Sequence, residues 1–257
     1  MLTLKQLKKY NKQKLTQKAV GDMYGVSDQS IRRWCKQLQY KWKPTRPNKY
    51  IVDNYYFHKW SHDMAYILGY AMADAYIEKS ENRQVQVAFK SIDKDLITYI
   101  QDRLDTNYPI DVYQPINSCK LVYRLRINSD ILGNQFIKLG VIPHRTGNEY
   151  LPYIPEQYKS SYLCGLFDGD GHIGKNKRVW YICSSSLYFL KQLRDNFVVL
   201  NTSLIRQEQR KNANKMPLYY LKFHKRNKIM DVCRYIYSNV SFCLNRKYQI
   251  YNNMLED

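Results

Sequence analysis

Residues 65–77 (AYILGYAMADAYI) return as residues 161–173 (SYLCGLFDGDGHI) at one constant offset of 96. The offset sets Tyr66 on Tyr162, Gly69 on Gly165, Asp74 on Asp170 and Ile77 on Ile173, so each copy is an apolar, helix-like run ending in one carboxylate. An internal repeat outranks any single motif as a guide to architecture. Small residues recur every fourth position, Ala65, Gly69 and Ala73 in the first copy and Ser161, Gly165 and Gly169 in the second. That spacing lines one helix face with small side chains, and helices meeting through such faces approach more closely than helices meeting through Leu.

If the copies pair about a pseudo-twofold axis, Asp74 and Asp170 come side by side at the bottom of the interface. A helix C-terminus is itself partly negative, so two acids at two such ends are costly without a bound cation. Oxygen-ligated Mg2+ is the natural candidate. Taken singly, either run reads equally well as a core helix with a solvated acid at its end; two copies in register weaken that reading. A calcium loop starting at Asp168 is rejected, because its sixth and twelfth positions would be Ile173 and Val179 where Gly and Glu are needed.

Residues 163–171 (LCGLFDGDG) closely resemble the signature of the LAGLIDADG homing endonuclease family, and residues 67–75 match it more loosely. The first copy departs at Met72, where an acid often stands, and at Ala75, which resists the positive φ that the usual Gly permits. The resemblance covers roughly residues 55–255, with 140–155 similar to the family's connector between halves. It implies an internal pseudo-dimer that acts as a monomer. It assigns catalysis to the last acid of each motif and implies Mg2+-dependent cleavage of double-stranded DNA across the minor groove, leaving short 3′ overhangs.

Forty-one Lys and Arg stand against 22 Asp and Glu, a net charge of +19, which points to a polyanionic partner, most simply nucleic acid. Residues 1–50 hold 13 Lys or Arg against 2 Asp. Residues 17–34 (QKAVGDMYGVSDQSIRRW) read as a helix, a turn at Gly25 and a second helix N-capped by Ser27. Val20, Met23, Tyr24, Val26, Ile31 and Trp34 are expected to clasp the pair. The pattern resembles the helix-turn-helix of phage-type repressors, in which Asp28, Gln29, Ser30, Arg32 and Arg33 would face the major groove or its phosphates. A small helical module with no DNA role is the alternative. Residues 41–48 (KWKPTRPN) read as a basic linker whose Lys41, Lys43 and Arg46 could track the backbone.

Beyond it each half is expected to repeat a helix and strand order. Strands are placed near 76–79, 84–90, 110–115 and 120–128 with helices over 93–105 and 130–139. In the second half strands fall near 172–174, 178–183, 203–211 and 218–224, with a helix over 187–200 and helices to the end. Leu121, Tyr123, Leu125 and Ile127 alternate with Lys120, Val122, Arg124 and Arg126, a half-buried strand with one basic face. Registering Leu125 on Leu221 puts Arg126 on Lys222, one cation per half, with His224 further along the same strand. Arg206, Glu208, Arg210, Gln86 and Lys90 would line the same kind of surface, where strands in a major groove read base edges.

The fold expected is therefore α+β: two pseudo-symmetric αββαββα halves with antiparallel saddle sheets, 61–150 and 151–257, preceded by a small all-α helix-turn-helix module, 1–44, and a linker, 45–60. The function expected is a site-specific double-strand DNA homing endonuclease. Asp74 and Asp170, with the carbonyls of Ala73 and Gly169, would hold two or three Mg2+, with Mn2+ able to substitute. Arg126 and Lys222 would stabilise charge developing on phosphate. Two other readings stay open, a non-cleaving DNA-binding regulator and an intron RNA maturase of the same fold. The five His form no HNH-like cluster, and a DxD glycosyltransferase site at Asp168 and Asp170 fits the repeat poorly. Six Cys without CxxC spacing read as reduced thiols. With no signal-peptide or membrane-length apolar run, a soluble, cytoplasmic or nucleoid-associated protein is expected.

Overall fold

The computed structural model describes residues 2–13, 15–42, 50–81, 83–116, 118–174, 178–208 and 216–256. It divides into two compact units, Met1–Tyr50 and Ile51–Asp257. The first is a helical module of α1 (Leu4–Lys12), α2 (Gln17–Met23) and α3 (Asp28–Gln37). Leu2, Leu7, Val20, Ile31 and Cys35 form its core, with Val26 and Trp34 packed against it. Gly25 takes φ +63, the left-handed turn that an L side chain resists. Ser27 caps α3, its hydroxyl accepting from Ser30 N at 3.3 Å. Met23 and Tyr24 do not clasp the helices as expected; they are 60% and 43% exposed. Leu7 of α1 supplies the apolar mass instead, and Tyr24 hydroxyl meets Tyr10 hydroxyl at 2.5 Å.

In the second unit the first half runs α4 (His62–Asp74), β1 (Tyr76–Glu78), β2 (Gln86–Ser91), α5 (Lys94–Arg103), β3 (Ile110–Tyr113), β4 (Val122–Asn128) and α6 (Asp130–Lys138). The second runs α7 (Lys159–Asp170), β5 (Gly171–Ile173), β6 (Trp180–Ser184), α8 (Leu187–Asn196), β7 (Leu204–Gln207), β8 (Tyr219–Phe223) and α9 (Arg226–Ile236), and α10 (Asn245–Leu255) follows. The sheets have the same antiparallel order, β1-β2-β4-β3 and β5-β6-β8-β7. Strand alternation buries one face of each against its own helices: Ile77, Val87, Phe89, Leu125 and Ile127 in one half, Ile173, Trp180, Ile182, Leu221 and Phe223 in the other. Residues 51–60 belong to this unit, with Phe57 buried 4.3 Å from Phe136 between ring centroids. The strand expected over 203–211 ends at Gln207, and 209–211 lie outside the described residues.

The two halves meet through α4 and α7, and the glycines explain how. A Cβ on Gly69 would lie 2.0 Å from Tyr162 O, and one on Gly165 would lie 1.9 Å from Tyr66 O. These contacts exchange under the 96-residue offset, as an isologous twofold interface requires. Backbone touches backbone, so α4 is buried on every side from Met64 to Met72, as a helix apolar all round must be. Neither helix leaves through a positive φ: Ala75 has φ −75 and Gly171 φ −95, both extended. Gly171 answers a steric need instead, since its Cβ would lie 2.1 Å from the Phe167 ring. In the first half the corresponding pair is Ala75 and Ala71, and the smaller Ala71 side chain leaves room for a Cβ.

Candidate functional site

The helix pairing ends in two acids. Asp74 and Asp170 close α4 and α7 and both are partly buried. A Cβ on Gly169 would lie 2.3 Å from Ala73 Cβ and 3.4 Å from Asp74 Oδ2, so the Asp74 carboxylate rests against the last turn of the opposite helix. Burial, and then the charge of Asp74, pushes the Asp170 carboxyl up to about 7. Burial also raises Asp74, opposed chiefly by the positive charges of Lys90, Arg145 and Lys247. Among the described residues no cation stands within ion-pair distance of either carboxylate.

Two cations that the sequence did not reveal hold the helix ends, Lys247 buried and Arg145 half-buried. Arg145, in the connector, donates from Nε to Met72 O at 3.0 Å, from Nη2 to Ala71 O at 3.1 Å and Ala73 O at 2.8 Å, and from Nη1 to Ala75 O. Lys247, on α10, donates from Nζ to Phe167 O at 2.6 Å, Asp168 O at 3.0 Å and Gly171 O at 2.6 Å. Ala71, Met72 and Ala75 are the 96-offset counterparts of Phe167, Asp168 and Gly171. Each cation therefore satisfies the same orphan carbonyls of its helix, although one comes from a loop and the other from a helix. Lys247 is 5% exposed and burial pushes its ammonium down to about 8; burial lowers Arg145 as well. Lys247 left one trace in the sequence, since it shares the buried stripe of α10 with Tyr251 and Met254. Arg145 left none.

The symmetry breaks one turn earlier. Asp168 is 2% exposed, and its Oδ2 accepts from Tyr66 hydroxyl at 2.7 Å and Leu244 N at 2.8 Å. Burial pushes its carboxyl up to about 6. Asp168 is thus bound across the interface rather than beside Asp170 as a second ligand. In the first half Met72 takes its place, and the buried hydroxyl of Tyr162, counterpart of Tyr66, has no hydrogen-bond partner among the described residues.

The sheets present the remaining candidates on their open faces. In the first, Gln86, Lys90, Arg124 and Arg126 share a face by register, Lys90 opposite Arg124 and Ala88 opposite Arg126. Lys90 is the one that most strongly favours ionised Asp74. Arg126 forms a two-point ion pair with Asp111, at 2.8 and 3.1 Å, and Arg124 joins the same carboxylate at 3.3 Å. In the second sheet Lys222 stands opposite Tyr181 as Arg126 stands opposite Ala88, so the two are equivalent in register. Arg206 shares that face opposite Tyr220. Lys222 and His224 line a cavity of about 410 Å³ with Lys225 and Lys228. Glu208 N donates to Leu218 O at 2.8 Å just past β7. The position matching Lys90 is Cys183, whose Sγ donates to Asp170 O at 3.3 Å.

On α3, Gln29, Arg32 and Arg33 are exposed, and Asp28 and Ser30 partly so. Arg32 pairs with Asp28 at 3.0 Å. Lys41 is exposed, while Lys43, Arg46 and Arg210 lie outside the described residues.

Among the described residues no group of three or more His, Cys, Asp or Glu side chains is placed to hold a metal ion. Two carboxylates under mutual repulsion nonetheless suit a hard dication that takes its other oxygens from substrate and water, as Mg2+ does. The Ala73 carbonyl already accepts from Arg145, which leaves it one lone pair. Among the described residues no helix is long and apolar enough to cross a membrane.

The sequence matches a family model described as a LAGLIDADG-like domain over residues 61–137 and 157–237. No curated protein matches it. Among solved structures, the homing endonuclease I-WcaI bound to its DNA recognition sequence is similar at 16% identity and TM-score 0.52, covering 76% of this chain and 90% of that one. A variant of I-DMOI in complex with nicked target DNA in the presence of Mn is similar at 14% identity and TM-score 0.47, covering 72% and 98%. Full-length DUF199/WhiA from Thermatoga maritima is similar at 13% identity and TM-score 0.47, covering 79% and 64%. At 16% identity the likeness to I-WcaI is one of fold.

Proposed function

The chain belongs to the LAGLIDADG-like domain family, in two copies, and from that membership we propose that it is a site-specific endonuclease of double-stranded DNA. One observation carries the reading: a repeat built for close helix contact ends, in both copies, in a carboxylate held at a negative helix end beside its twin. A structural role gives no return for that repulsion, whereas a bound divalent cation would offset it.

In this reading Asp74 and Asp170, with the carbonyls of Ala73 and Gly169, would hold the divalent ions, Mg2+ or Mn2+. A bound Mg2+ supplies Lewis acidity and an acidified water. The residues do the rest. Lys90 supplies positive charge beside Asp74, while Arg126 and Lys222, one per half and equivalent in register, would meet phosphate and offset charge developing there. Gln86, Lys90, Arg124 and Arg206 offer donors to base edges from the open sheet faces. The saddle sheets take the major groove, and cleavage falls across the minor groove with short 3′ overhangs. Helix α3 of the first unit, with Gln29, Arg32 and Arg33, contacts flanking DNA, as does the basic stretch containing Lys41, Lys43 and Arg46. One chain supplies both halves and acts as a monomer.

The test is selection of cleaved sites from randomised duplex DNA in Mg2+, with Ca2+ and EDTA controls. Defined Mg2+-dependent double-strand breaks that disappear in Asp74→Asn and Asp170→Asn, with binding retained, are the expected result. Specific binding with no breaks in the wild type would replace the reading with a DNA-binding regulator, and a preference for structured RNA would point to the intron RNA reading.

A further inference from the structure

We propose that the outward face of α1 is a docking surface for the phosphate backbone of duplex DNA, holding any sequence alike while α3 meets the bases. The inference rests on the reading that the chain binds duplex DNA and says how the first unit does so. Lys5, Lys8, Lys9 and Lys12 stand at i, i+3, i+4 and i+7, so the helical period gathers them on one stripe. All four are exposed. On the opposite side Leu4, Leu7, Tyr10 and Asn11 form the inward stripe, Leu7 fully buried and the other three partly so.

The lysine face is rigidly held and uncompensated. Thr3 and Gln6 close a capping box at the start of α1, Gln6 N donating to Thr3 Oγ1 at 3.3 Å and Thr3 N to Gln6 Oε1 at 2.9 Å. Near its end the Tyr40 hydroxyl donates to Asn11 Oδ1 at 2.9 Å, and the Tyr10 and Tyr24 hydroxyls pair at 2.5 Å. The first acid of the sequence is Asp22. Among the described residues none of the four lysines has an ion-pair partner. Like charges three and four apart destabilise a helix, and Lys5 adds a cation to the positive first turn, which holds no acid. A bound polyanion offsets that repulsion. From Lys5 to Lys12 the stripe runs about 10 Å along the helix axis, the axial span of about three phosphates of one strand. Helix α3 is of mixed polarity by contrast, with Arg32 paired to Asp28 at 3.0 Å and neutral Gln29 exposed. Mixed donors and acceptors suit base edges, whereas a face of charge alone suits phosphate.

The test is the salt dependence of duplex binding by the full chain, read by fluorescence anisotropy in Ca2+ on a duplex of arbitrary sequence. Each phosphate contact adds about 0.9 to the slope of log affinity against log salt, so K5Q/K8Q/K9Q/K12Q should lower that slope by about 3 to 4. Between about 50 and 200 mM salt the wild type should then lose ~150-fold more affinity than the variant. K5R/K8R/K9R/K12R should keep the wild-type slope, and the sites that the Gln variant selects from a randomised pool should match those of the wild type. Each single Lys→Gln change should lower the slope by about 0.9, which decides the matter even where the fourfold variant unfolds the module. A slope lowered by less than about 1 in a fourfold variant whose circular dichroism matches the wild type overturns the inference, as does an altered site preference. Loss of binding to structured RNA alone also overturns it and assigns the face to RNA. Duplex binding without cutting refutes the endonuclease reading and leaves this test in force, whereas a wild type that binds no duplex overturns both.

Discussion

Replacing Asp170 with Asn should stabilise the protein while abolishing cleavage. Folding carries the Asp170 carboxyl from its ordinary 3.8 up to about 7, and each unit corresponds to about 1.36 kcal/mol. Above pH 7 the folded protein must hold an ionised carboxylate against that shift, at a cost of up to ~4 kcal/mol; screening by solvent at this partly exposed group reduces it to about 2 kcal/mol. Asn is nearly isosteric and neutral, so the cost disappears. For a domain of this size the gain corresponds to a melting temperature higher by about 4–8 °C. Because the folded form binds its proton more tightly than the unfolded one, wild-type stability from this group rises as pH falls from about 7 toward 4. The advantage of the variant should therefore be largest at pH 8 and less than half as large at pH 5. Melting by circular dichroism in EDTA from pH 5 to 8.5 measures this, and adding Ca2+ should raise the wild type more than the variant. An Asn variant melting at or below the wild type at pH 8, or a difference independent of pH, would refute the account of two uncompensated acids.

The broken symmetry at the interface gives a paired test by urea denaturation. Tyr66→Phe should cost about 1.5–3 kcal/mol because it strips a donor from buried Asp168, whereas Tyr162→Phe should be neutral or stabilising, since its hydroxyl has no hydrogen-bond partner among the described residues; equal costs would contradict it. Gly69→Ala and Gly165→Ala should each destabilise by more than about 3 kcal/mol, because the added methyl meets backbone at 2.0 and 1.9 Å, and a loss under about 1 kcal/mol would show that the helices can separate freely. Removing residues 1–50 should leave the second unit folded, weaken DNA binding and shorten the protected footprint. An unchanged footprint would make the first unit structural.

The offset of 96, the small-residue spacing and the terminal acids were legible because helix contact and strand alternation write periodic patterns into a chain. Strand and helix positions followed to within a few residues for the same reason, including the matched register of Arg126 and Lys222. Reading inward from a short motif failed where distant residues competed for the same core. Met23 and Tyr24 were expected inside, and α1 filled that space with Leu7. Arg124 and Arg126 do share one strand face, and only the pairing of β3 with β4 sets Asp111 against both.

The sequence by itself determined that two equivalent helices must meet closely and end in acids, since small residues at fixed spacing allow few other arrangements. Only the tertiary structure decided what makes those ends tolerable. Arg145 reaches Met72 across 73 positions, Lys247 reaches Phe167 across 80, and Tyr66 reaches Asp168 across 102. Partners so far apart share no period, and a buried cation is identified by the carbonyls that surround it rather than by the residues beside it in the chain.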